Sequence, residues 1–199
     1  MGRTVDYYFV PQSPWAYLGH ARFAALLRET GSSVRVLPMD LGRIFPLSGG
    51  LPLPKRAPQR QAYRLLELRR FSEALDIPLH PEPQFFPVAG DPAARLITAV
   101  AQHDGDEDAM RLTGAVLTAV WAQQRDIASL EVLAQLLAET GLNAERLAQS
   151  QQPDVQARYD AQTQAAIDLN LFGAPSYVID GELFWGQDRL DFVARKLRT

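Results

Sequence analysis

Strand-forming patterns lie only at the two ends of this 199-residue chain, and helical patterns fill the stretch between them. Isolated pairs of short strands are marginally stable in water, so two such ends are best satisfied by meeting in one sheet. At the first end, residues 4–10 are rich in β-branched and aromatic side chains, which suits a short buried strand. A helix is predicted from Ser13 to about Thr30, with Leu18, Ala21 and Ala25 at helical spacing, Pro14 in the first turn and Gly31 as the stop. Residues 33–38 alternate and predict a second strand, parallel to the first across the helix. At the far end, residues 176–179 and 182–185 flank Asp180-Gly181, a strong two-residue hairpin turn. Leu190, Val193 and Leu197 then mark a closing amphipathic helix.

Prolines and glycines cluster between residues 41 and 58, which predicts a long loop of the kind that is functional or mobile. A helix should follow over 59–75, with Tyr63, Leu66, Arg70 and Ala74 on one face, and proline-rich residues 80–92 should run extended. Helical patterns resume at 93–103, 106–125, 130–139, 144–150 and 153–170. The expected fold class is therefore α/β. Residues 1–41 and 154–199 form one discontinuous sheet domain, and residues 42–153 form a large all-helical insertion.

A content of 47% hydrophobic and 22% charged residues marks a globular chain rather than a disordered one. The formal net charge of −3 argues against nucleic acid as a partner. No apolar run approaches the ~18–20 residues that span a bilayer, and Met1-Gly2-Arg3-Thr4 leads straight into a strand without a secretory pattern. The expected address is the cytoplasm, with no membrane partner. Absence of cysteine excludes thiol–disulfide chemistry and thiolate metal ligation by the chain itself. His20, His80 and His103 are scattered, without an H-E-x-x-H pattern, so no metal is expected and all three read as surface or structural residues. His20 stands ~10 Å along the helix axis from Ser13, which disfavours a Ser–His couple. A G-x-S-x-G elbow and a glycine-rich phosphate loop are both missing. Arg60, Arg64, Arg69 and Arg70 read as a solvated helix face, Arg60 being the one considered for a cleft.

Chemistry concentrates in two places. In Val10-Pro11-Gln12-Ser13-Pro14-Trp15-Ala16 a strand breaks and a helix begins, so the Ser13 hydroxyl sits at a helix N-terminus. Free amides and the helix dipole favour an anion there by ~0.3–1 kcal/mol. Thioredoxin-like oxidoreductases put the first cysteine of Cys-Pro-X-Cys at this point, whereas this tetrad reads Ser13-Pro14-Trp15-Ala16. A thiolate would have to come from a ligand, and glutathione is the candidate. The second place is Gly173-Ala174-Pro175-Ser176, where a cis Ala174–Pro175 bond competes with an ordinary trans proline; the cis form would open the Ala174 backbone to an extended peptide. Trp185-Gly186-Gln187-Asp188-Arg189 follows as a turn whose amides could hold a carboxylate and whose Asp188 could take an ammonium. The alternative for Asp188 is a simple helix cap.

These segments, with Val5-Asp6-Tyr7-Tyr8-Phe9 and the stretch from Tyr159-Asp160 to Ala165-Ala166, resemble the 2-hydroxychromene-2-carboxylate isomerases. That family is a glutathione-dependent branch of the DsbA-like thioredoxin superfamily, close to the kappa-class glutathione transferases. The resemblance implies a thioredoxin-like fold and a Ser13 that hydrogen-bonds and activates the glutathione sulfur. It implies that Ala174 and Pro175 pair with the cysteinyl backbone, and that Trp185, Gly186, Gln187 and Asp188 hold the γ-glutamyl end. The implied reaction interconverts an aromatic-catabolism hemiketal carboxylate with trans-o-hydroxybenzylidenepyruvate. Positions that carry substrate contacts in the family are Phe45, Pro54-Lys55 and Phe85 here, and Ala89 replaces a frequent asparagine, so only Lys55 keeps a charge able to meet a carboxylate. A kappa-like transferase and a redox-dead binding protein remain open beside the isomerase, as does a homodimer.

Overall fold

A computed structural model describes residues 2–199. Its strands are β1 (Thr4–Phe9), β2 (Ser33–Pro38), β3 (Ser176–Ile179) and β4 (Glu182–Trp185), joined in the order β2-β1-β3-β4. Thus the two ends of the chain do share a sheet. β1 runs parallel to β2, with Thr4 opposite Ser33 and Phe9 opposite Pro38, and antiparallel to β3, with Tyr8 opposite Ser176. β3 and β4 form the hairpin, and Asp180 and Gly181 take positive φ values of 51° and 79° that suit a two-residue primed turn.

The helices are α1 (Pro14–Thr30), α2 (Leu41–Ser48), α3 (Pro58–Leu75), α4 (Asp91–His103), α5 (Asp106–Trp121), α6 (Leu130–Glu139), α7 (Glu145–Gln149), α8 (Pro153–Asp168) and α9 (Leu190–Leu197). The helices from α2 to α8 lie between β2 and β3, and the last of them, α8, packs on the sheet through Ala166. Period-two alternation in β1 feeds two cores, because successive side chains leave opposite faces of the sheet. Val5, Tyr7 and Phe9 join a large cluster with Phe23 of α1, Leu96 of α4, Leu112 of α5 and Val193 of α9. Tyr8 and Val10 join Met39, Ile44 of α2, Ala166 of α8 and Val178 on the other face. The first cluster continues through Trp121 and Leu133, so sheet and insertion share packing.

The expected loop over 41–58 is a correction. Residues 41–48 form α2, and Leu53–Lys55 form a 3-10 turn. Asp40 caps α2 by accepting the Gly42 N–H at 2.7 Å, and Gly49 ends it at φ 73°. Pro46 is tolerated near the end of so short a helix, and burial of Ile44 against the Tyr8 face supplies what propensity lacks. The α3 face bearing Tyr63 and Leu66 points to solvent, and Leu68 is the residue α3 buries.

His20 lies inside the larger core, with Nε2 3.0 Å from the Met110 carbonyl and the Tyr7 hydroxyl 3.5 Å from Nδ1. Nε2–H donates to that carbonyl, and burial pushes the imidazole pKa down to about 4. An unfolded histidine takes its proton near pH ~6.5, so the unfolded chain binds more protons between there and about pH 4. Stability is therefore complete above the upper value and falls on acidification through this window, by about 3 kcal/mol in total. Urea unfolding at neutral and mildly acid pH should show this slope, and His20→Gln should flatten it. An equal decline in both proteins would assign the acid sensitivity elsewhere.

Candidate functional site

Register gathers the two places of interest at one end of the sheet. Tyr8 opposes Ser176 and Ser176 opposes Trp185, so the segment leaving β1 toward Ser13, the Pro175 entry to β3 and the Gly186 exit from β4 are neighbours. The Gly186 N–H donates to the Pro175 carbonyl at 2.9 Å and locks the last two together. Gly19 of α1 lets the following turn in: a Cβ there would stand 2.8 Å from the Gln187 Cβ. Residues Gln187–Arg189 form a 3-10 turn laid along α1.

Ser13 is buried and is the N-cap of α1. Its Oγ accepts the Ala16 N–H at 3.1 Å, which occupies a lone pair and leaves the hydroxyl proton free to be donated. Neighbouring Trp15 packs edge-on against Phe71 of α3 at 5.9 Å, so the helix start is braced by the insertion. Beside it Gln12 turns its side chain onto Gly90, the residue before α4, and its buried Oε1 has no hydrogen-bond partner among the described residues.

The Ala174–Pro175 peptide is cis. The Ala174 N–H and C=O make no backbone hydrogen bond among the described residues, and Pro175 is buried. Trp185 is 51% exposed, lies over Gly173 and meets Phe172 edge-on at 4.8 Å. Gly186 has φ 106°, a backbone region that favours glycine. Gln187 differs from its three neighbours: its side chain is buried, and its Oε1 accepts from Arg22 at 2.8 Å. Arg22 was not among the sequence candidates, and nothing in local spacing ties it to a residue so far along the chain. Asp188 is half-exposed, pairs with Arg189 at 2.7 Å, and caps neither the 3-10 turn nor α9.

Phe45 stacks on Gly50, Lys55 is exposed at the end of its 3-10 turn, and Phe85 is 41% exposed. Within α3, Arg60 is exposed and Arg64 turns inward instead, over Phe86 and Trp121. The signal for Arg64 was its four-residue spacing from Leu68.

This sheet, its helical insertion between β2 and β3, and a helix-terminal serine define a thioredoxin-like protein whose active-position thiol is replaced by a hydroxyl. The DSBA-like thioredoxin domain family matches residues 4–198. The 2-hydroxychromene-2-carboxylate isomerase of Pseudomonas sp. (strain C18) is 34% identical over 94% of this chain and 86% of its own length. A solved structure of 2-hydroxychromene-2-carboxylate isomerase superposes with a TM-score of 0.83 at 25% identity, over 98% of this chain and 94% of that one. Glutathione S-transferase kappa 1 of Caenorhabditis elegans is more distant, 26% identical over 98% of this chain and 90% of its own length. The chain belongs to the 2-hydroxychromene-2-carboxylate isomerase family within the DSBA-like thioredoxins. Among the described residues no helix is long and apolar enough to cross a membrane.

Proposed function

We propose that the protein is a glutathione-dependent isomerase that interconverts 2-hydroxychromene-2-carboxylate, or a related aromatic-catabolism intermediate, with trans-o-hydroxybenzylidenepyruvate. The observation that carries this reading is Ser13: a buried hydroxyl, its proton free, at the N-terminus of a long helix in a chain without cysteine. The residues fit the tripeptide. Ala174 offers a backbone N–H and C=O that are unpaired among the described residues to an extended peptide, and Asp188 offers a half-exposed carboxylate for an α-ammonium. Gly186 and Trp185 shape the same rim, whereas Gln187 contributes through its backbone because its side chain holds Arg22.

Bound there, glutathione would supply a thiolate that adds reversibly to a conjugated double bond, allowing rotation without net redox change. Ser13 donates its hydroxyl proton toward the sulfur position, and the first amides of α1 add their partial positive charge. Phe45 and Phe85 offer apolar surface to an aromatic substrate, and Lys55 offers a cation to its carboxylate.

The test follows the ultraviolet spectra of hemiketal and ring-opened acid on mixing either with protein and glutathione. Isomerisation that needs glutathione but does not consume it supports the proposal. A stable glutathione conjugate would establish the kappa-like transferase instead, and binding without turnover a redox-dead binding protein.

Asp188→Asn should weaken glutathione affinity by about tenfold, at the low end for a lost charge partner because the carboxylate is half-exposed and already meets Arg189. Asp188 caps no helix, so the melting temperature should hold. Calorimetry beside a thermal melt reads both, and unchanged affinity would remove Asp188 from the site.

A further inference from the structure

Gly19 and Arg22 stand three residues apart on one face of α1, so the position that admits the Gln187–Arg189 turn and the side chain that grips it are neighbours. Arg22 Nη1 donates to the Gln187 Oε1 at 2.8 Å and reaches the Gln187 carbonyl oxygen at 3.4 Å. Among the described residues Arg22 forms no ion pair, and the side chain it grips is a neutral amide, so its charge is not cancelled. Burial raises the Tyr177 pKa, Arg22 lowers it and Asp188 raises it, which puts both charges within reach of one phenol. The gripped carbonyl belongs to the same peptide as the Asp188 N–H. That peptide is trans, so the N–H leaves on the side away from the guanidinium. Among the described residues the N–H groups of Gln187 and Asp188 make no backbone hydrogen bond, whereas those of Gly186 and Arg189 bond to the Pro175 and Gly186 carbonyls. A cation bonded to a carbonyl draws charge through the peptide and makes its N–H a stronger donor.

We propose that Arg22 is a positioning residue for thiol recognition: from behind the turn it fixes the Gln187–Asp188 peptide and strengthens its N–H as the donor to the α-carboxylate of glutathione's γ-glutamyl end. The assignment rests on the glutathione reading above and adds to it a residue that touches no ligand atom. Two properties of the pair suit this work. Gripping Gln187 by side chain and backbone together removes freedom from the turn before any ligand arrives, which lowers the ordering cost of binding. Because Gln187 is neutral, the positive charge acts through the peptide on the ligand instead of being spent on a carboxylate inside the protein. Glutamate at position 187 would hold the turn as firmly and forfeit that charge.

Calorimetry of the full-length protein compares glutathione with γ-aminobutyryl-cysteinylglycine, which is glutathione without its α-carboxylate. The wild type should prefer glutathione by about 30-fold, and Arg22→Met should narrow that preference by about tenfold. Arg22→Lys, a cation without the planar fork, should recover part of it. Hydrogen exchange of the unliganded protein reads the grip by itself, and the bonded Gly186 and Arg189 amides should exchange faster in Arg22→Met. Gln187→Glu should narrow the preference without faster exchange, because it keeps the grip and cancels the charge. Equal loss of affinity for both ligands in Arg22→Met, loss for neither, or full preference in Gln187→Glu would overturn the proposal. If Arg22→Met does not fold, Arg22→Lys and Gln187→Glu decide. Glutathione-dependent isomerisation with an unchanged preference in Arg22→Met would sink this proposal and keep the isomerase reading, whereas an Arg22-dependent preference without isomerisation would do the reverse. A wild type that binds no glutathione would overturn both.

Discussion

Ser13→Ala is expected to lower isomerase turnover by about 10²–10³-fold, the loss typical when one preorganised donor to a developing anion is removed. The same change should raise the pKa of the bound thiol, because the thiolate loses its hydroxyl donor while keeping the amides of α1. Alanine also removes the cap on Ala16, at a cost of ~0.5–2 kcal/mol, so lost activity and lost stability must be separated. Ser13→Gly does so, since glycine at an N-cap costs only a few tenths of a kcal/mol and still lacks the donor. Both variants should be equally slow, and only the alanine variant should melt earlier. Thiolate absorbance titrated against pH reads the activation directly. An unchanged thiol pKa with full turnover would assign activation to the helix backbone alone.

The second large effect is on stability. Trp121 is fully buried at the end of α5, meets Phe86 at 4.9 Å between ring centres and accepts the His80 N–H on its carbonyl at 2.8 Å. It is the surface on which the irregular segment between α3 and α4 rests. Trp121→Ala should cost about 3–5 kcal/mol, because the remaining side chains can only partly close so large a hole. Trp121→Phe keeps an aromatic ring and removes an indole N–H that has no partner among the described residues, so it should cost clearly less than alanine. Urea unfolding with matched slopes measures both. A loss below about 1 kcal/mol for alanine would mean that the segment is held by something other than this ring.

How much the sequence disclosed depended on how local each cause is. The Asp180-Gly181 turn and the Ser13 to Gly31 limits of α1 were legible because a turn type, a cap and a positive φ each act within a few residues. β2 was legible because its alternation survives on one strand alone. α2 was not, since Pro46 and Gly49-Gly50 signal a break, and what overrides them is the packing of Ile44 beneath a strand far from it in sequence. Arg60 was favoured over Arg64 because the phase of α3 is set by which side buries Leu68, and four arginines on a polar helix do not reveal that. Gln187 looked available to a ligand until Arg22, brought close by the approach at Gly19, engaged it. Ser13, Ala174 and Asp188 were named from turn chemistry and from the family resemblance, and register then brought their segments to one end of the sheet.

The strand order also sets a schedule for building the protein. β1 lies between β2 and β3, yet β3 is made only after the whole helical insertion has been synthesised. Until then one edge of a strongly apolar strand stays unpaired, in a topology whose pairing across long sequence separations is slow and exposes the chain to association. Ser13 is synthesised before the helical insertion, but the Ala174 and Gly186 segments that complete its surroundings are synthesised after it. Nascent chains can therefore present the serine long before they can bind anything beside it.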